Sequence, residues 1–399
     1  MSGGIGRGNL RKGNGICFAV NGRRDAFGKR IGRYTGRFPI TNDQKGFRIM
    51  DEFYTEPISA SEPMRQCYVE SIDRAEERLR ADATARRNAW ISPEKMAANP
   101  EFYRDAYREM LGIPTCQRVF GAGIPAVTEM PVGEDSLCTI ARLKVELAPD
   151  IFYTGLLLRP KHADGAVPLV IGQHGGGGTP ELCSDFVGPN NYRHMVRRLL
   201  QRGAMVFAPQ NLKWNFNTPT VSGIPQFGTP YHSTQTDHTF RQCGTSLTGF
   251  QIYAISRSLD YLFDRENIRD GCGMIGCSYG GFYTLYTMAS DPRIRGGYSV
   301  AMFNDRFRYN WSDIIWKNAG AMFLDGEVAG LCAPRKLWIE CGKTDPVFDY
   351  TSIPAVYEQS VPYFEAQGVP QNVHLNLHEG GHTIADREDG FDFLFSALE

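Results

Sequence analysis

The chain has almost no net charge, no long apolar run and no paired-cysteine motif, and each absence removes a class of function. Its 43 Lys/Arg and 44 Asp/Glu leave a formal net charge of −1 over 399 residues. That is not the overall basic excess that draws a protein to nucleic acid, so no nucleic-acid partner is expected. No apolar stretch approaches the about 18 residues that a membrane span needs, so no membrane partner is expected either. Near the N-terminus the longest apolar run is Ile16-Cys17-Phe18-Ala19-Val20. This is shorter than the about 7 residues of a minimal secretory core, and the expected location is therefore cytoplasmic. The ten cysteines form neither a C-x-x-C pair nor a zinc-ligand spacing, which points to reduced thiols. His232, His238, His374 and His378 lack a paired ligand pattern, so no metal site is expected.

What is present is an ordinary globular composition, 42% hydrophobic, long enough for one large α/β domain with an extension. Three stretches differ in character. Residues 1–48 form a basic, Gly-rich arm with eleven Lys/Arg, two acidic residues and eleven glycines. Residues 49–135 read as a helical N-terminal extension. Pro63 suits a first helical position, and Tyr68, Ile72, Ala75 and Leu79 recur at helical spacing. Ser92-Pro93 and Asn99-Pro100 each look like an N-cap followed by proline. Tyr103, Tyr107, Met110 and Leu111 share a face that Gly112 and Pro114 bring to a stop. Short helices cannot bury such stripes alone, so the extension is expected to pack on the domain that follows.

From about 136 to 399 strands and helices alternate. The pattern predicts strands near 138–147, 151–160, 167–173, 204–209, 272–277, 296–303, 336–342 and 372–378. Helical patterns fall at 190–202, 246–265, 281–290, 352–367 and 384–398. The three-residue link Ala148-Pro149-Asp150 suits an antiparallel hairpin, whereas the later helix-length crossovers require parallel neighbours. The expected fold class is α/β, a mostly parallel sheet flanked by helices on both faces, with function at the carboxyl ends of its strands.

The run Gly276-Cys277-Ser278-Tyr279-Gly280-Gly281 lies between a strand pattern and a helix pattern. Gly-x-Ser-x-Gly at such a turn presents a serine hydroxyl at the top of a sheet and the start of a helix. Upstream, Val167-Pro168-Leu169-Val170-Ile171 runs into His174-Gly175-Gly176-Gly177-Gly178, a glycine-rich loop able to offer backbone N–H groups to an oxyanion. Downstream, one strand pattern leads to Asp345 and the next to Glu379-Gly380-Gly381-His382. Ser, Asp and His in that order make Ser278 the candidate nucleophile, His382 the base and Asp345 the acid that orients it. Asp305, after an earlier strand, is the alternative acid. Asp349, Glu379 and Asp386 read as solvated loop charges. The oxyanion donors expected are the N–H of Tyr279 and one from Gly175 or Gly176. His174 reads as a group that orders this loop, and Cys277 as a small residue packed at the turn.

Together these motifs resemble the α/β-hydrolase superfamily across about 136–399. The elbow, with the lead-in Tyr107-Arg108-Glu109-Met110-Leu111-Gly112-Ile113-Pro114, is similar to the dienelactone-hydrolase and acetyl-xylan-esterase-like branch. The resemblance implies an α/β-hydrolase fold and a serine esterase that cleaves carboxylic esters without a cofactor. Alternatives within the same chemistry are a serine peptidase of the prolyl-oligopeptidase type and an acyltransferase. A non-catalytic binding module of the same fold is the alternative outside it. Two aromatic clusters are expected near the site. One lies in the long connection after the strand ending near Gln210, with Trp214, Phe216, Phe227, Tyr231 and Phe240, and the other holds Tyr309, Trp311 and Trp316. Trp214, Tyr231 and Trp311 are the candidate substrate contacts. Flat aromatic walls suit sugar rings, so the expected partner is a small-molecule or carbohydrate ester, with acetyl as the acyl group.

Overall fold

Strands that are apolar along their whole length need cover on both faces, and the sheet is built to supply it. The computed structural model describes residues 54–161, 165–188, 190–212 and 233–399. Its contacts divide the chain into Met1–Cys67 and Tyr68–Glu399, and the sheet lies in the second of these. The basic arm, residues 1–48, lies outside the described residues.

Among the described residues four α-helices precede the sheet: α1 (Glu62–Trp90), α2 (Pro93–Ala98), α3 (Pro100–Leu111) and α4 (Ile113–Phe120). Nine strands then form one sheet among the described residues: β1 (Val127–Glu134), β2 (Cys138–Ala148), β3 (Ile151–Pro160), β4 (Val167–Gln173), β5 (Met205–Pro209), β6 (Ile268–Cys277), β7 (Ile294–Val300), β8 (Lys336–Gly342) and β9 (Val373–His378). Their order is β1-β2-β3-β5-β4-β6-β7-β8-β9. The first three strands and the β3–β5 pair run antiparallel. From β5 through β9 all neighbours are parallel. Between the strands run α5 (Pro180–Cys183), α6 (Met195–Gln201), α7 (Ser233–Gln242), α8 (Leu247–Arg265), α9 (Tyr279–Ser290), α10 (Asp325–Gly330) and α11 (Ile353–Glu365), and α12 (Asp389–Phe395) follows β9. Two buried clusters, one on each face, make the core. Every residue of β4 and β5 is buried, as expected of parallel strands covered on both sides.

β1 was not expected from the sequence. It carries Pro131, Gly133 and two glutamates, is exposed along most of its length, and breaks register between Pro131 and Gly133. An edge strand tolerates a proline and a bulge because one side needs no ladder bonds, and the same features erase the alternating pattern. The strand predicted at 296–303 ends at Val300, with Ala301–Asn304 turning out of the sheet. The helix predicted at 384–398 is confined to α12.

The extension divides. Ser92 caps α2, its hydroxyl accepting from the Lys95 N–H at 3.3 Å. On α3 Tyr103, Tyr107 and Leu111 are buried, and the Tyr107 hydroxyl donates to the Tyr286 carbonyl of α9 at 3.1 Å. Arg87, near the end of α1, is buried against Glu327 at 3.0 Å. The earlier stripe on α1 does not pack as expected: Tyr68, Ile72 and Leu79 are exposed, Leu79 by 69%. Tyr107→Ala should therefore lower unfolding free energy by about 3–5 kcal/mol. Leu79→Ala should change it by no more than about 0.5 kcal/mol, as exposed positions do. Urea unfolding of both variants measures the contrast.

Candidate active site

Parallel strands place all their outgoing loops at one end of the sheet, and β4, β6, β7, β8 and β9 are consecutive neighbours across it. The loops after β4, β6, β8 and β9 carry the glycine run, Ser278, Asp345 and His382 in turn. Ser278 follows β6 directly and precedes the first residue of α9, with φ 60 and ψ −125. This is a strained conformation for a residue with a side chain, and it turns the chain sharply from strand into helix. The Ser278 N–H donates to Val300 O at 2.9 Å, and its carbonyl accepts from Phe282 N at 3.0 Å. The turn is thus tied to β7 on one side and to α9 on the other.

Asp345 and His382 meet: His382 Nδ1 lies 2.7 Å from Asp345 Oδ2. The other oxygen of Asp345 accepts from the Val347 and Phe348 N–H groups at 2.8 and 3.1 Å, and its side chain is wholly buried. His382 keeps 19% of its side chain exposed. Asp305 is engaged differently, capping its own turn by accepting from Phe307 N at 2.9 Å. Of the two candidate acids, Asp345 is the one paired with His382. Asp349 pairs with Arg308 and caps Thr351, while Glu379 pairs with Lys343 at the surface.

The loop bearing His382 is fastened on several sides. The Asn191 side chain donates to His382 O at 3.0 Å, and the Thr383 hydroxyl donates to Asn191 O at 2.7 Å. Ala385 N–H donates to Glu340 Oε1 at 2.7 Å. Glu340 is a buried acid in the middle of β8, and its Oε2 also accepts from Tyr298 Oη and Asn376 Nδ2, both at 2.8 Å. Sequence reasoning passed over Asn191, Tyr192 and Glu340. Only Glu340 had a visible signal, an acid inside the apolar run Leu337-Trp338-Ile339-Glu340-Cys341.

The glycine loop lies against the elbow. A Cβ on Gly175 would stand 2.7 Å from Cys277 O and 3.0 Å from Ser278 Cβ, so only glycine permits this approach. The Gly175 N–H donates to the Tyr192 hydroxyl at 2.8 Å. Of the two expected loop donors, Gly175 is therefore already committed to another acceptor. His174 is buried beneath the loop. The Asn211 N–H donates to His174 Nε2 at 3.0 Å, which assigns the ring proton to Nδ1, and Nδ1 in turn donates to Gly175 O at 2.8 Å. Burial pushes the His174 pKa down from 6.5 to about 4, outweighing the raising effects of Gly175 and Glu181.

Cys277 is fully buried, and desolvation, with Asp345 next in effect, raises its thiol pKa well above the usual value. It stays protonated and serves as packing. Aromatic rings join the members of the site. Phe348 lies 5.9 Å from the His382 ring, Trp311 is 5.5 Å from Phe348, and Trp311 is 5.9 Å from Tyr279. Trp311 is 37% exposed. Trp316 instead stacks on Phe282 at 6.4 Å and donates to Ser246 Oγ, so it packs its loop inward. Phe240 packs on Phe250. Trp214, Phe216, Phe227 and Tyr231 lie outside the described residues. Among the described residues no three His, Cys, Asp or Glu are grouped to hold a metal ion, and no helix is long and apolar enough to cross a membrane.

No family model matches the chain, and no curated protein matches it in sequence. Solved structures do resemble it. A candidate acetyl xylan esterase from Bacteroides fragilis aligns with a TM-score of 0.57 at 16% identity, over 76% of this chain and 84% of its own. A methylesterase aligns with a TM-score of 0.57 at 18% identity, over 80% and 70%. A glucuronoyl esterase from Solibacter usitatus aligns with a TM-score of 0.50 at 16% identity, over 71% and 91%. At this identity the likeness is one of fold, and the fold is that of the α/β-hydrolases.

The buried His174 generates a prediction. The unfolded chain takes up this proton near pH 6.5 and the folded chain only near 4. Between those values the unfolded state binds more protons, so stability falls as pH drops from about 6.5 towards 4, by about 3 kcal/mol from this ring. An NMR titration of the His174 ring should find its midpoint below 5. A midpoint above 6 would contradict the buried neutral ring.

Proposed function

We propose that the protein is a serine esterase that cleaves a short-chain carboxylic ester, an acetyl ester of a carbohydrate or another cyclic alcohol. The observation that carries this reading is the buried Asp345 held 2.7 Å from His382 Nδ1, at the same sheet end as the strained Ser278 turn. Asp345 fixes the proton on His382 Nδ1, which leaves Nε2 bare to act as a base. Ser278 Oγ attacks the ester carbonyl as its proton passes to His382. The negative charge on the tetrahedral oxygen is met by the N–H groups of Gly176 and Tyr279, at the start of α9. The C–O bond of the alcohol breaks, the alcohol leaves with the proton from His382, and an acyl-enzyme remains. Water, deprotonated by the same histidine, attacks the acyl carbon, releases the acid and returns Ser278 to its starting state.

The substrate class rests on Trp311. Its partly exposed ring stands between Tyr279, next to the nucleophile, and Phe348, next to His382. A flat aromatic face in that position suits the apolar face of a sugar ring better than a flexible lipid chain. The fold neighbours bear the names of acetyl xylan, glucuronoyl and methyl esterases, which agrees with this reading.

Ser278→Ala should lower turnover of p-nitrophenyl acetate by about a million-fold without unfolding the chain, and a fluorophosphonate probe should label Ser278 alone. Asp345→Asn should cost about ten-thousand-fold in turnover, because the tautomer of His382 is no longer held. Asp305→Asn should leave turnover largely intact, and the reverse ranking would move the acid to β7. Substrate choice is tested separately. Trp311→Ala should lower kcat/KM on an acetylated xylo-oligosaccharide by about tenfold and leave p-nitrophenyl acetate largely unchanged. Equal losses on both, or faster native cleavage of long acyl chains, would refute a sugar-type pocket.

A further inference from the structure

The peptide units on either side of Gly175 are both locked, and different residues hold them. The N–H of Gly175 donates to Tyr192 Oη at 2.8 Å. The carbonyl of Gly175 accepts from His174 Nδ1 at 2.8 Å and from Gly178 N at 3.2 Å. A trans peptide is planar, so fixing the Gly175 carbonyl fixes the Gly176 N–H on the opposite side of the same unit. With both units fixed, a residue whose own φ and ψ would otherwise be free has a single orientation. Tyr192 itself has little freedom. Its side chain is buried, its N–H donates to Asn190 Oδ1 at 2.8 Å, and a Cβ on Gly178 would come within 2.5 Å of its hydroxyl. The preceding residue, Asn191, donates to the carbonyl of His382 at 3.0 Å. The segment Asn190–Asn191–Tyr192 thus touches the glycine loop with one side chain and the histidine loop with the next.

We propose that Tyr192 is a positioning residue for the oxyanion loop: it takes the Gly175 N–H out of service so that Gly176 faces the reacting carbonyl. The role rests on the esterase reading above. A hydroxyl that only filled space could be replaced by hydrogen at little cost to catalysis. A hydroxyl that aims the loop could not, because a donor displaced by about 1 Å loses much of its transition-state contribution.

Tyr192→Phe keeps the ring and removes the acceptor. On p-nitrophenyl acetate it should lower kcat by about 10- to 100-fold, with KM within about twofold of native. Affinity for a trifluoromethyl ketone, whose adduct places an oxyanion in the same position, should fall by the same factor. The Gly175 amide should exchange faster with solvent, while the melting temperature stays close to native. Asn190→Ala, which removes the bond to the Tyr192 N–H, should give a smaller change of the same kind and serves if Tyr192→Phe does not fold. Native kcat in a folded Tyr192→Phe enzyme overturns the role of Tyr192 and leaves the esterase reading standing. A lowered kcat with undiminished ketone affinity overturns it as well. No turnover of any ester by the native chain overturns the reading and the role together.

Discussion

The structure depends on one sharp turn. Between β6 and α9 the chain reverses character within a single residue, and Ser278 at that point holds φ 60 and ψ −125. Such a conformation costs on the order of 1–3 kcal/mol and persists only where the surroundings over-determine it. Here they do. Ser278 is bonded to β7 through its N–H, and α9 sits so close to β4 that a Cβ on Gly280 would lie 2.1 Å from Gln173 O. The closeness that permits the turn also brings the loop after β4 against the serine. The strain and the approach of the glycine loop are consequences of the same packing.

A second constraint is electrostatic. The end of the sheet carrying the site contains buried polar groups that would be costly without partners. Glu340 lies at the centre of β8 with donors from β7, β9 and the segment after His382, and it accepts from Tyr298, Asn376 and Ala385. Asp345 on the following loop is likewise surrounded by donors, two backbone N–H groups and His382. Each carboxylate gathers separate pieces of chain because its lone pairs must be satisfied. A buried acid therefore organises the loops around it more stringently than an apolar residue of the same size.

The legibility of this arrangement in the sequence followed the range of the interactions. The elbow was legible because its glycines, strand and helix are neighbours along the chain, and the β2–β3 hairpin because Ala148-Pro149-Asp150 allows little else. Asp345 could be ranked above Asp305 by its place after the penultimate strand, and the geometry pairs it with His382. What the residues could not disclose were contacts between distant segments. Tyr192 and Gly175 are 17 positions apart, and Asn191 and His382 are 191 apart. Choosing Gly176 over Gly175 depends on such a contact. The edge strand β1 was lost for the opposite reason, since being only half paired it needs no alternating pattern. The stripe on α1 has helical spacing without burial, because periodicity reports that a helix has an apolar face and says nothing of what covers it.

Two histidines at one end of the sheet show how environment assigns a role that residue type leaves open. Both sit beside glycines in loops that leave a strand. His174 is enclosed, with no carboxylate bonded to its ring, an N–H donor on Nε2 and a carbonyl on Nδ1. Both ring nitrogens are occupied, Nε2 by the Gln210 side-chain amide as well as by backbone, and burial holds the ring neutral to about pH 4. It has neither a free nitrogen nor an affinity for a proton at neutral pH, so it can only brace the loop. His382 has a carboxylate on Nδ1 and a partly exposed ring. That carboxylate orients the ring, as the base of the proposed reaction requires. Under the proposed reaction the division of labour follows from what each ring touches: a carbonyl at Nδ1 suits the brace, and a carboxylate there suits the base.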